Sequence, residues 1–374
     1  MKILFVTTIS NTVNAFLIPH IKMLMEHGHQ VDVAFNIDQV VKPDIEKIGC
    51  KVHIIPFQRS PLRKENYLAY KQLKKLISDE NYDIVHTHTP VASAIVRLAC
   101  RHLKNVEVFY TAHGFHFFKG AAIKNWLIYY PIEKWLSKYT DVLITINKED
   151  YQRAKKSFKA GRVEYIPGIG LDTKKFTNVT IDKSAKRKEL GLPEDALVLL
   201  SVGELNKNKN HEIVIKALAK LNNFKIYYVI CGQGPLEQYL IEVANKVGLD
   251  NRVKLLGFRS DIAEICKAAD IFAFPSSREG LPVSLMEAMA AGLPVVCSNT
   301  RGNTDLIEDG KGGYLVEPDD VEGFAYSIKE IANSALLREK MSIENKSTIK
   351  KFDISNVVLE IIKIFDISIV KKSL

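Results

Sequence analysis

The feature that most constrains this chain is a regular beat of short apolar strand-like runs separated by helical stretches, sustained from residue 2 to residue 316. Residues 2–8 (KILFVTT) are a continuous β-rich run, the pattern of a strand covered on both faces. Residues 15–27 follow with apolar side chains at helical spacing (Phe16, Leu17, Ile21, Leu24, Met25) until Gly28 stops them, and 30–36 is a second strand. Two strands separated by a helix are joined by a crossover, so they lie parallel. The beat continues through strand 51–56, helix 67–80, strand 83–88, helix 91–102, strand 107–111, helix 124–138 and strand 141–146. This predicts a doubly wound α/β sheet.

Residues 166–176 (IPGIGLDTKKF) break the rhythm with Pro167, Gly168 and Gly170, and a polar stretch follows, so a linker is expected over 166–182. The beat then restarts with strands at 196–202, 225–231, 252–256, 271–275, 294–298 and 313–316, and helices at 211–221, 236–247, 262–268 and 283–291. At 374 residues the chain has the length of two ordinary domains. The expected organisation is a Rossmann-like domain over 1–165, a second over 183–350, and a C-terminal helix over 351–374. Ligands of such sheets sit beyond the carboxyl ends of the strands, and with two facing sheets the natural site is the cleft between them.

Charge divides along the same line. Residues 1–165 hold 24 Lys+Arg against 15 Asp+Glu, whereas 166–374 hold 28 against 28, so the net +9 lies wholly in the first half. It is spread without an RNA- or DNA-binding signature, and a nucleic-acid partner is not expected. Five cysteines, odd in number and with no C-x-x-C, argue against a disulfide framework and a zinc site and for a reducing compartment. The apolar run at the start is too short for a signal peptide, and no stretch approaches a membrane span. The expected location is the cytoplasm, with room for peripheral attachment to a membrane.

Three loops that follow strands carry candidate chemistry. Residues 277–287 (SREGLPVSLME) open a helix near Pro282. Gly280 lets backbone approach a ligand, Leu281 follows it, and the first helical amides would favour an anion. Glu279 and Glu287 could address a reacting centre and a ligand hydroxyl, although a helix-start acid and a solvated helix residue are the plainer readings of such a pair taken alone. In residues 201–210 (SVGELNKNKN), Lys207 and Lys209 with Gly203 suit a diphosphate, and a solvated turn fits them as well. In residues 110–120 (YTAHGFHFFKG), His113 beside Gly114 could meet a sugar or a developing charge, or be a structural histidine in an aromatic loop.

Other patterns carry less. His86 and His88 lie on one face of a strand end with no carboxylate or Cys nearby, which favours a structural or substrate-lining role over a metal. Gly232-Gln-Gly234 after a strand resembles a dinucleotide turn, but a lone G-x-G is weak. There is no G-x-x-x-x-G-K-[ST], G-x-S-x-G or D-x-D triplet, so ATPase, serine-hydrolase and metal-clamped sugar-nucleotide chemistries lose ground.

In their order and spacing the three loops resemble those of retaining glycosyltransferases of the GT-B fold, glycosyltransferase family 4. The E-x7-E element Glu279 to Glu287 within SSREGLPVSLMEAMAAGLPVV is a specific mark, and YTAHGFHFFKG with KNWLIYYPIEKWLSKYTDVLITINKEDYQRA is similar to the branch that builds bacterial capsular and exopolysaccharides. The resemblance runs from residue 1 to about 365. It implies that Lys209 holds the donor diphosphate, Glu287 the ribose hydroxyls, and Glu279 with the amides after Gly280 the donor sugar and phosphate. His113 would lie beside the reacting sugar, and Phe258 and Arg259 would hold the base through their backbone. Asn11, His88, His116 and Lys119 are acceptor-side candidates. Where many relatives have Gly-Arg-Leu, this chain has Gly203-Glu204-Leu205, so a second cation must come from elsewhere, with Lys207 and Arg278 as candidates.

The resemblance implies transfer of a sugar from UDP to a polyprenyl-diphosphate-linked saccharide with retention of configuration, without cofactor or metal. The alternatives are a UDP-sugar epimerase on the same fold and a nucleic-acid-binding protein. Within 124–138, Trp126, Leu127, Tyr130 and Trp135 among lysines form a candidate patch for an anionic membrane surface, with an amphipathic core helix as the plainer reading. The amphipathic stretch 350–365 is expected to cross back to the first domain.

Overall fold

The computed structural model describes residues 1–221 and 225–373, with side chains through 368. It divides into two units, one of Met1–Gly170 with the C-terminal helix from Ile354, the other Leu171–Asp353.

The first unit is built on a seven-stranded parallel sheet. Its strands are β1 (Lys2–Ile9), β2 (Gln30–Asn36), β3 (Lys51–Ile54), β4 (Ile84–Thr87), β5 (Glu107–Ala112), β6 (Val142–Thr145) and β7 (Arg162–Tyr165), in the order β3-β2-β1-β4-β5-β6-β7. The apolar runs are buried because helices cover both faces. Leu4, Val6 and Val85 on one face pack with Leu73 and Ile77 of α1 (Glu65–Glu80) and Val96 of α2 (Pro90–Cys100). On the other face, Phe5 pairs in register with His86 and His86 with Phe109. Phe365, from the C-terminal helix Ile354–Ser373, lies 5.7 Å from the His86 ring and 4.9 Å from that of Phe109.

The first helix starts earlier than its spacing predicts. It leaves β1 directly at Ser10 and passes through a π-helical turn, Val13–Leu17, before the regular stretch Ile18–Glu26. Pro19 accounts for the irregular turn, since it has no N–H to donate and the hydrogen-bond ladder slips in the turn before it. Two further helices complete what the site needs here, α3 (Ile123–Leu136) and α4 (Lys148–Ser157). Strand β7 is absent from the sequence reading because its pattern, RVEY, is short, charged and only half-buried, as edge strands are.

The second unit holds six parallel strands: β8 (Leu197–Val202), β9 (Ile226–Cys231), β10 (Val253–Leu255), β11 (Ile271–Phe274), β12 (Val295–Ser298) and β13 (Gly313–Val316), ordered β10-β9-β8-β11-β12-β13. Helices α5 (His211–Lys220), α6 (Glu237–Lys246) and α7 (Val283–Ala291) serve the site. The glycines of Gly232-Gln-Gly234 meet backbone. A Cβ on Gly232 would lie 1.9 Å from Gly203 O and one on Gly234 2.5 Å from Leu205 O, so they let the loop after β9 pack against the loop after β8.

The segment 166–182 is not all linker. Residues from Leu171 onward belong to the second unit, where the Leu171 N–H donates to Phe352 O at 2.9 Å, Thr173 Oγ1 donates to Asp353 Oδ2 at 2.5 Å, and Phe176 is buried. Residues 351–353 likewise close the second unit, and the C-terminal piece of the first begins at Ile354. Leu374, which ends the helix predicted over 351–374, lies outside the described residues.

Candidate active site

In the second sheet the strand order turns about the neighbours β8 and β11. Loops leaving the carboxyl ends of such a pair diverge and open a crevice. The loop after β8 brings Gly203 to Asn210, and the loop after β11 brings Ser276 to Leu281. The two are laced together: the Ser277 N–H donates to Asn208 O at 2.8 Å, Asn208 Nδ2 donates to Arg278 O at 3.0 Å, and Lys209 Nζ donates to Glu279 Oε1 at 2.7 Å. The Lys209 ammonium also stands 4.8 Å from the centre of the Phe274 ring. Its alkyl stem crosses Gly203, where an added Cβ would come within 3.2 Å of Cδ and Cε. An acid, an aromatic face and a missing side chain therefore fix one cation at the crevice.

Helix α7 begins just after Pro282, which as its N-cap makes no side-chain hydrogen bond to the first N–H groups. Gly280 and the buried Leu281 lead into it. The Glu287 carboxyl makes no hydrogen bond or ion pair among the described residues, and burial pushes its pKa up to about 7. A desolvated acceptor with nothing to accept suits a ligand that brings hydroxyl donors.

Phe258 and Arg259 follow β10. Phe258 is exposed, and the Arg259 guanidinium is engaged by Asp261 at 2.6 Å and Glu189 at 2.7 Å. The two candidate second cations are placed differently. Arg278 is exposed on the loop after β11, beside the Lys209–Glu279 pair. Lys207 lines a pocket of about 440 Å³ with Asn206, Asn210, His211, Glu212 and Tyr239, at the starts of α5 and α6. Glu204 is exposed.

Sequence reasoning missed Arg301. It is buried in the loop after β12, and its Nε donates to Glu279 O at 3.0 Å. The signal was available in its position, a charged residue just past a fully buried strand, but no glycine or anion motif marked it.

The first unit offers a second set at its own switch point, between β1 and β4. His88 follows β4, Asn11 follows β1, and His113 follows β5. His88 Nδ1 and His113 Nε2 are 3.3 Å apart, so one ring donates to the other. His86 lies against His88 with ring centres 4.2 Å apart and the planes tilted, and it bonds Thr111 Oγ1 at 2.8 Å, while His20 bonds Ile169 O at 2.7 Å. Burial holds these rings neutral: it lowers His86 to about 3, His113 and His20 to about 4, and His88 well below the usual imidazole range. His88 Nε2 is buried without a partner among the described residues.

Asn11 is half-buried and tied through its backbone N–H to Asp38 Oδ1 at 3.0 Å. His116 and Lys119 run on toward α3 and α4. His116 stacks on Tyr129 at 4.6 Å, and the Lys119 N–H donates to Glu149 Oε1 at 2.8 Å. These two contacts lead toward α3 and α4. Among the described residues no group of three or more His, Cys, Asp or Glu is placed to hold a metal ion, and no helix is long and apolar enough to cross a membrane.

Residues 182–348 match the family Glycosyl transferases group 1, and residues 2–147 match Glycosyl transferase 4-like. EpsD of Bacillus subtilis (strain 168), whose name carries the glycosyltransferase designation, is 40% identical over 97% of this chain and 96% of its own. The UDP-Gal:alpha-D-GlcNAc-diphosphoundecaprenol alpha-1,3-galactosyltransferase of Escherichia coli is 32% identical over 79% of this chain and 78% of its own. Among solved structures, Anabaena HepE in complex with UDP and glucose superposes with a TM-score of 0.81 at 20% identity, covering 98% of this chain and 99% of that one. The chain accordingly belongs to the group 1, family 4-like glycosyltransferases of the GT-B fold, as the loops after β5, β8 and β11 led one to expect.

Proposed function

We propose that this glycosyltransferase moves a sugar from a UDP-sugar to a polyprenyl-diphosphate-linked saccharide, with retention of anomeric configuration and without a metal, on the cytoplasmic side of polysaccharide assembly of the capsule or exopolysaccharide kind. The observation that carries the donor side is the Lys209–Glu279 pair at 2.7 Å, set in loops that flank the second sheet's switch point and lead to an unpartnered Glu287. Lys209, with Arg278 as the second cation, takes the diphosphate; Gly203 gives it room. Glu279 and the amides after Gly280 and Leu281 contact the donor sugar and its phosphate, Glu287 accepts from the ribose hydroxyls, and the backbone at Phe258 and Arg259 meets the base.

Lys207, exposed on the same loop and lining the pocket at the starts of α5 and α6, is a further cation for the donor. His113 stands at the reacting sugar, supported by His88. Asn11, His116 and Lys119 belong to the acceptor side. The printed name of the Escherichia coli relative, with its UDP-Gal donor and diphosphoundecaprenol acceptor, supports this reading of donor and acceptor class.

In the reaction the C1–O bond to UDP breaks and the C1–O bond to the acceptor forms on the same face of the sugar. The departing phosphate oxygen takes the proton of the acceptor hydroxyl, so no side-chain base is required. Charge on the leaving diphosphate is met by Lys209 and by the uncapped start of α7. The test is a panel of UDP-sugars offered with undecaprenyl-diphosphate-linked saccharides, with the anomeric configuration of the product read by NMR. An α-linked product supports the reading. An isomerised UDP-sugar formed without acceptor points to an epimerase, and turnover of neither kind overturns the proposal.

A further inference from the structure

The loop that carries His113 has to be aimed by its surroundings. Gly114, the next residue, has φ +144°, a positive value open mainly to glycine, so the chain between His113 and Phe115 does not fix its own direction. Beyond Gly114 the loop rests on an aromatic floor. Phe115 and Phe117 stack with ring centres 4.9 Å apart, and Trp126 and Tyr130 of α3 pack on Phe117 at 5.7 and 5.3 Å. Of the four residues expected in a surface patch, Trp126 and Tyr130 therefore face inward, and Leu127 and Trp135 are exposed. Apolar burial holds the loop down but is non-directional.

Direction comes from the first turn of α4. Asp150 is fully buried, and its Oδ2 accepts from the Phe115 N–H at 3.0 Å and from Asn147 Nδ2 at 2.9 Å. Asn147, the helix N-cap and also fully buried, accepts in turn from the Asp150 N–H through Oδ1 at 2.9 Å, so the acid and the cap hold each other. The neighbouring acid takes the far end of the loop: Glu149 Oε1 accepts from the Lys119 N–H at 2.8 Å and from Arg153 Nη2 at 2.9 Å. Two consecutive acids thus grip main-chain N–H groups at 115 and 119.

A buried carboxylate is costly unless its hydrogen bonds are made, and a hydrogen bond to a charged acceptor is stronger than a neutral one. Starting α4 does not call for such an acid inside the protein. Asn147 already accepts from one of the helix's first N–H groups, and an acid facing water would serve the helix dipole as well. What the buried position adds is the tie across 35 residues to Phe115. We propose that Asp150 is a positioning residue for the reaction: by fixing the Phe115 N–H it holds His113, two residues earlier, in its 3.3 Å contact with His88. Its effect on the reacting sugar passes through the loop. This inference rests on the reading that His113 stands at that sugar.

The experiment is a double-mutant cycle on the full chain, with kcat measured on the UDP-sugar and acceptor found active in the panel above and UDP affinity measured by calorimetry. Asp150→Ala should lower kcat about tenfold or more and leave UDP affinity within about twofold, which also reports that the variant folds. Asp150→Asn keeps an oxygen for the Phe115 N–H and should recover most of the loss. His113→Ala should lower kcat too, and adding Asp150→Ala to it should cost at most about twofold more, because a residue acting through His113 has nothing left to place. If Asp150→Ala does not fold, Asn147→Ala supplies the same comparison with a smaller expected loss, about threefold or more. A normal kcat in Asp150→Ala, losses that multiply in the double variant, or an Asp150→Asn no more active than Asp150→Ala would each overturn the proposal. A normal kcat in His113→Ala would instead retire the reading of His113, and the proposal with it.

Discussion

Lys209 and Glu279 lie 70 residues apart in sequence and 2.7 Å apart in space, and their ion pair joins the loops after β8 and β11. Both side chains are largely withdrawn from water, at 19% and 13% exposure, so the pair is screened less than a surface bridge.

A donor diphosphate arriving at Lys209 must share the ammonium with Glu279 or displace it. Lys209→Met should lower kcat/KM by about 100-fold or more, since the departing charge loses its fixed cation. Glu279→Gln should also lower kcat. In the donor-free protein, the double variant should be more stable than the two single effects predict, with a coupling of about 1–3 kcal/mol in a denaturation cycle. Simple additivity would show that the pair is incidental. Turnover by the unaltered chain should survive excess EDTA, and its loss would return a metal to the mechanism.

Glu287 makes a pH-dependent prediction whose sign is fixed. Its pKa is raised from the ordinary carboxyl value to about 7, so the folded chain holds this proton more tightly than the unfolded one. The effect on stability is most favourable below about pH 4.5 and is lost as pH rises through 7. Glu287→Gln should remove that slope and stabilise the donor-free protein at pH 8 by on the order of 2 kcal/mol. UDP affinity should move the other way, because ribose hydroxyls bind the ionised carboxylate. Calorimetry should find UDP binding to the unaltered chain tightening from about pH 6 to 8 more steeply than binding to Glu287→Gln. Parallel pH profiles would mean that Glu287 does not meet the ligand.

How much of this was legible in the sequence depends on what each residue's signal was made of. The parallel sheets could be read because strands buried on both faces are unbroken apolar runs, as in Ile3 to Val6 and Val295 to Cys297. Strand β7 and the irregular turn at Val13–Leu17 could not, since an edge strand and a slipped hydrogen-bond ladder leave no apolar period. Lys209 and Glu279 could be picked out singly but not as a pair, because the contact depends on how two loops close over Gly203. Arg301 reaches the site through a hydrogen bond to a main-chain carbonyl, and a partner of that kind has no side-chain identity to search for.

His113 is predicted to work as a neutral imidazole. Burial lowers its pKa to about 4, with the His20 ring adding to the fall, and its contact at 3.3 Å is another neutral ring, His88. The pH profile of kcat/KM should therefore show no His113 titration between about pH 5 and 8. His113→Ala should lower kcat with little change in UDP affinity, and His113→Asn, which keeps a donor and an acceptor, should recover part of the loss. An imidazole titrating near pH 6.5 by NMR would contradict the neutral role.

Gly302 offers a way to disturb the donor loop without touching a charged residue. Its φ is +82°, and a Cβ there would lie 2.4 Å from Gly280 O and 2.9 Å from the Gly280 carbonyl carbon. Gly302→Ala therefore carries two costs, the left-handed backbone and a collision with the loop that presents Glu279 and Leu281. Gly310 separates them, since its φ is +77° and an added Cβ there meets nothing within 4 Å. Each alanine should cost about 1 kcal/mol in denaturant unfolding from the backbone alone. Only Gly302→Ala should also reduce kcat/KM for the donor, by about tenfold or more, because displacing Gly280 moves Glu279 away from Lys209. Equal activity in the two variants would show that the Gly280 turn can shift without consequence, and that the geometry of the Lys209–Glu279 pair is not what the donor reads.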